Sequence, residues 1–385
     1  MDFKAQYSRE EYIRFFSTLF GNGNFQKIDR STPTQSGSFG ESMYFRGIHT
    51  LGLVRELEGL DDGLIVLEIQ HQSSRDARVG LTKELMKLLS STEIEWTYRW
   101  NALVILTNPN DNTYRLSLFT TSYDKTQGYK KVLSNPRRQS FLLGQKKVHT
   151  PKEQLEKKGT IISFEDLKKR FSIEVVNKEF YKNISEFFYA LTGGTFVKGK
   201  QTYTVEPVMF YPGVTNDKKK DELTRKEFWV RLFGRIMFCW FLKQKVLEDG
   251  NGLIPSSILS SNVATGWKYY NSILEPLFFE ILNKPHEDRK ESYKTNGWAN
   301  IPYLNGWLFH PQEEDYFDKS PLEVYIPDDW FKQFFEFLEL YNFTIDENTS
   351  IDQEMSVDPE MLGRIFENLL AEINPETGES ARKST

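Results

Sequence analysis

Two acidic residues at a turn, Asp61 and Asp62, precede the apolar run Leu64-Ile65-Val66-Leu67, which ends in Glu68-Ile69-Gln70-His71. Alternate side chains of an extended strand share a face, so Glu68 and Gln70 converge on one point. A carboxylate from the preceding turn adds to that point, and oxygen donors of this kind suit Mg2+. The ion would be held by Glu68 with Asp61 or Asp62, and it would activate water and neutralise charge on a phosphate. Glu58, Glu56 and Glu41 are alternative second carboxylates. The strand carries no fixed cation, and Lys83 or Arg78 further along could supply one. The bland reading of the same pattern is a set of exposed hairpin carboxylates, with His71 a strand-end surface histidine.

A second feature is a basic stretch. Between Lys125 and Lys158 lie ten Lys or Arg against the two acids Glu153 and Glu156. Lys130, Lys131, Arg137, Arg138, Lys146 and Lys147 could track phosphates, and Ser134, Asn135 and Ser140 offer further donors. A solvated loop accounts for the same composition.

The elements that must position these residues follow from periodicity. Ser8-Arg9-Glu10-Glu11 has the form of a capping box, and Tyr12, Phe15, Phe16 and Leu19 then share a helical face up to Gly21. Residues 22–41, rich in Ser, Thr, Gly and Gln, read as a loop. Residues 47–57 and 64–70 predict a hairpin. Val79, Leu81, Leu85, Leu88 and Leu89 predict a covering helix, and residues 102–107 and 114–121 two neighbouring strands. Residues 164–194 read as helical, and 216–221 as an exposed loop. Thr224-Arg225-Lys226-Glu227 then repeats the capping-box form before a stripe of Phe228, Leu232, Ile236, Cys239 and Leu242. Further helices are expected around 269–282, 329–341 and 359–370, the last capped by Asp358 with Pro359 in its first turn.

With 385 residues, 39% hydrophobic and 15% aromatic, the chain has material for two or three packed domains. A lone cysteine, Cys239, excludes an internal disulfide and reads as a small core residue. No signal peptide and no membrane-spanning apolar run is present, which makes the cytoplasm the expected compartment. The net charge of −5 argues against an unselective nucleic-acid coat. No P-loop, dinucleotide fingerprint, His-Glu-x-x-His or nucleophile elbow occurs. Trp298, Tyr303, Trp307 and Phe309 are core aromatics or a surface that meets bases or a neighbouring domain.

The acidic turn followed by Glu68-Ile69-Gln70 resembles the layout of PD-(D/E)xK nucleases, with Gln70 in place of their lysine. The run from Glu68 to Glu84 is similar to the N-terminal domain of bacterial type IIG restriction-modification enzymes, which join a nuclease and an adenine methyltransferase on one chain. Ser134-Asn135-Pro136-Arg137-Arg138, His149-Thr150-Pro151, residues 170–181 and 301–306, Val357 to Leu370, and Arg382-Lys383-Ser384-Thr385 resemble the same family. The resemblance implies an α/β (α+β) nuclease-like domain with a small mixed sheet over 1–160, a helical linker over 161–220, and a mostly α-helical connector over 221–385. It further implies a methyltransferase domain or subunit beyond the chain's end, through which S-adenosylmethionine would enter. The catalytic set would be Glu68, Gln70, Asp62 and Lys83 on double-stranded DNA. The alternative is a catalytically silent DNA-binding or scaffolding module for a methyltransferase partner.

Overall fold

The computed structural model describes residues 1–21, 23–32, 45–60, 63–71, 101–121, 123–124, 132–133, 137–145, 147–198, 201–212, 217–245, 252–266, 268–304, 306–344 and 352–373. The chain divides into two compact units. The first comprises Met1–Asn177, Leu340–Asn342 and Glu347–Val357, and the second the remainder. Residues 161–177 thus pack with the sheet unit and 178–220 with the other, where a separate linker over 161–220 was expected.

The first unit opens with α1 (Arg9–Phe20), which buries Tyr12, Ile13, Phe16, Leu19 and Phe20. Ser8 is its N-cap residue in extended conformation, but its side chain makes no capping hydrogen bond, so the predicted box does not close. Gly21 ends the helix at φ 80°. Seven strands then form one sheet in chain order: β1 (Phe25–Thr32), β2 (Phe45–Val54), β3 (Leu64–His71), β4 (Ala102–Thr107), β5 (Tyr114–Thr120), β6 (Arg137–Leu143) and β7 (Asp352–Glu354). The β2–β3 hairpin and the β4–β5 pair are antiparallel, β3 runs parallel to β4, and β7 adds in parallel to β6.

Two strands contradict the sequence reading. Phe25–Thr32, expected to be loop, is the edge strand β1, because its polar residues need face no core when one side pairs with β2. Gly52 permits that pairing, since a Cβ there would sit 2.4 Å from the Phe25 ring and 2.7 Å from the Gln26 carbonyl oxygen. Arg137–Leu143, expected within a basic loop or phosphate track, is β6 with Phe141 and Leu143 buried. The predicted helix over 79–89 lies outside the described residues.

The sheet interior is almost wholly aliphatic across β3 and β4, as a strand covered on both faces requires. Polar groups enter it with partners. Arg138 is 1% exposed, lies over the Phe119 ring and donates to Ser117 Oγ, which in turn meets Ser140 Oγ at 2.8 Å. Glu354 on β7 accepts from Arg115 Nη2 at 3.0 Å and from Asn342 Nδ2 at 2.8 Å, which fastens the last strand to the sheet.

The second unit is helical and aromatic. Its long helix α4 (Lys218–Gln244), which follows α2 (Phe164–Arg170) and α3 (Ile173–Thr192), starts six residues before Thr224. Asp217 caps it by accepting from the Lys219 and Lys220 amides, so residues 218–221 are helix rather than loop and Thr224 lies inside the first turns. The Phe228, Leu232, Ile236 and Cys239 stripe is buried, and burial pushes the Cys239 thiol up. Residues 270–282 wind in wide π-type turns interrupted at Glu275, with Pro276 opening the second stretch. The expected helices follow as α5 (Asp328–Glu339) and α6 (Pro359–Ile373), and Asp358 Oδ1 caps the latter by accepting from the Met361 amide at 2.7 Å. Among the described residues no helix is long and apolar enough to cross a membrane.

Candidate functional site

Along β3 the burial alternates at its end: Ile69 and His71 are buried, whereas Glu68 and Gln70 are partly exposed on the opposite face. The period-two expectation therefore holds for this pair. What surrounds Glu68 comes from elsewhere in the chain. Arg9, first residue of α1, grips both carboxylate oxygens, with Nε 2.6 Å from Oε2 and Nη2 3.0 Å from Oε1. The Tyr7 hydroxyl donates to Oε2 at 2.8 Å.

Each donor is held for a local reason. Tyr7 stands against Tyr12 and Tyr114, ring centroids 5.5 and 5.7 Å away, and Tyr12 and Tyr114 hydroxyls meet at 3.0 Å. Burial and then the Glu68 charge push the Tyr7 phenol far above its ordinary range, so it remains a donor. The hydrogen bonds to Glu68 likewise hold the Arg9 guanidinium charged. The pair is half-open: the Arg9 side chain is 41% exposed and Glu68 13%.

The neighbouring strand adds a second hydrogen-bonded polar pair. His49 stands directly across from Glu68 in the β2–β3 register, and its Nε2 lies 2.8 Å from Asp29 Oδ1. Asp29 reaches it because β1 bulges between Lys27 and Arg30, with Asp29 at φ 52°, and a bulge re-aims the side chain it carries. Hydrogen bonds from His49 and then Lys27 hold the Asp29 carboxyl below the usual range.

Of the residues expected to do chemistry, Glu68 and Gln70 share this face. Asp61, Asp62, Arg78, Lys83, Lys130, Lys131 and Lys146 lie outside the described residues. Leu64, where β3 begins, lies about 13 Å along the strand from Glu68. Glu56 and Glu58 are exposed near that far end. Arg137 is exposed at the start of β6 and Lys147 partly buried, whereas Arg138 points into the sheet interior, where phosphate does not reach. In the helical unit the aromatic set splits: Phe309 is core at 2% exposure and Trp307 is open at 79%.

Sequence reasoning missed Tyr7, Arg9, Asp29 and His49. Arg9 and Glu68 are 59 residues apart with no spacing rule between them. Asp29 was hidden because its strand read as loop.

A divalent ion fits part of this arrangement. A cation already sits on both oxygens of Glu68, and Gln70 adds a neutral oxygen donor on the same face. Among the described residues no three metal-ligating side chains gather. Mg2+ does not demand three, because it keeps several waters and binds through one or two carboxylates plus substrate phosphate.

Residues 201–324 match a family model described only as a domain of unknown function (DUF7814). No solved structure matches the chain. A protein of Methanocaldococcus jannaschii, named as a type II restriction enzyme and methyltransferase, is 31% identical over 217 residues. That similarity covers 52% of this chain and 17% of the relative's own length. Over about half its residues, the chain is thus similar to a restriction-modification polypeptide.

Proposed function

We propose that the sheet unit is the DNA-cleaving module of a restriction-modification enzyme, hydrolysing phosphodiester bonds with Mg2+ at Glu68, and that the helical unit connects it to an adenine-specific methyltransferase. The observation that carries this reading is the partly exposed end of β3, where Glu68 and Gln70 stand together and Glu68 holds a cationic partner. The restriction-enzyme name of the M. jannaschii relative supports DNA as the substrate.

In this reading Glu68 holds the ion, Asp29 contributes beside it, and Gln70 orients water or a phosphate oxygen. A divalent ion held there would polarise a water for attack and offset charge on the scissile phosphate. Tyr7 keeps Glu68 in place by donating to Oε2, and its raised phenol keeps that proton. S-adenosylmethionine would belong to the methyltransferase.

Supercoiled DNA incubated with the chain and Mg2+ or Mn2+ is expected to be nicked, and Glu68→Ala to abolish nicking while leaving the circular dichroism spectrum intact. Equal nicking by the variant would remove Glu68 from the mechanism. Absence of nicking by the unaltered chain would overturn the reading.

A further inference from the structure

We infer that Arg9 is the exchangeable cation of this site: it neutralises Glu68 until a divalent ion takes the carboxylate, and then binds a DNA phosphate oxygen. The inference rests on the reading that Glu68 serves DNA hydrolysis, and it assigns to α1 the positive charge that β3, with Gln70, does not carry.

Three observations support it. The guanidinium lies on both oxygens of Glu68, where a divalent ion would bind, and two cations cannot share that position without strong repulsion. The Arg9 side chain is the open member of the pair, at 41% exposure against 13%, so it can leave while Glu68 stays. Tyr7, fixed among Tyr12 and Tyr114, remains as a donor to Oε2, so the carboxylate keeps its orientation after Arg9 departs. Once released, the guanidinium is tethered at the first turn of α1, and its planar fork matches phosphate bidentately.

Mn2+ titration by calorimetry, and duplex DNA affinity in Ca2+ at several salt concentrations, test this on the full chain. Arg9→Gln is expected to tighten Mn2+ binding by up to about fivefold, the worth of a half-exposed ion pair. The same variant is expected to lower the salt slope of DNA binding by about 1, and Arg9→Lys to restore that slope because it keeps the charge. Unchanged Mn2+ affinity or an unchanged slope in Arg9→Gln overturns the exchange. Glu68→Gln separates the two readings. If it leaves Mn2+ binding as it was, the metal is not at Glu68 and the nuclease proposal fails with the exchange; if it abolishes Mn2+ binding while Arg9→Gln has no effect, the exchange alone fails.

Discussion

Both units contain an arginine forked onto a carboxylate, and the two pairs differ in everything but that geometry. In the sheet unit Arg9 meets Glu68 at a half-open edge, with side chains 41% and 13% exposed. In the helical unit Arg235 meets Asp315 at 2.9 and 2.8 Å with side chains 2% and 0% exposed. Arg235 is also spent on the Leu308 carbonyl and lies over the Phe279 ring, while Asp315 accepts from the Gln312 amide. Solvent can compete for the first pair and not for the second. A charge pair that water reaches is weak enough to exchange partners. One that water does not reach fixes the loop it holds, here residues 308–315, and breaking it strands a buried charge. A third carboxyl, Glu275, completes the contrast. It is buried like Asp315, but an amide from Asn271 stands beside it, and burial lifts its pKa to about 8.

The largest expected effect tests the dry pair. Asp315→Ala should destabilise the helical unit by about 3–5 kcal/mol, read as a lowered urea midpoint of tryptophan fluorescence. A loss below about 1 kcal/mol would erase the distinction between the two pairs.

Glu275 gives the next. Its folded pKa of about 8 lies above its usual 4.5, so between those values the folded state holds a proton that the unfolded chain has released. Its contribution is fully present below about pH 4.5 and is lost as pH rises through about 8. Glu275→Gln should therefore gain a few kcal/mol relative to the parent at pH 8.5 and almost nothing at pH 4.5, by denaturant midpoints at the two values. Parallel midpoints across that range would show that Glu275 is not held protonated.

The smallest concerns the open pair. Arg9→Gln or Glu68→Gln should shift unfolding free energy by no more than about 1 kcal/mol. A shift as large as that of Asp315→Ala would make the Arg9–Glu68 pair a structural one.

Much of the scaffold was legible because it depends on short-range pattern. The aliphatic run ending in Glu68, its hairpin partner and the β4–β5 pair follow from alternation and turn composition, as does the shared face of Glu68 and Gln70. The Asp358 cap of α6 follows from local hydrogen-bonding chemistry. Signals failed where a neighbour distant in sequence supplied the missing reason. The polar segment Phe25–Thr32 is a strand because β2 pairs with it, and the capping form at Thr224 lost to Asp217, which starts the same helix earlier.

The sequence by itself determined that an acidic and a carboxamide side chain would stand together at the end of one strand, since two-residue periodicity is a property of the backbone. Only the tertiary structure decided what meets them. Arg9 and Tyr7 arrive from the entry to α1, His49 from β2, and Asp29 through a bulge in an edge strand. Such encounters join residues tens of positions apart through packing, and packing leaves no periodic trace in the chain.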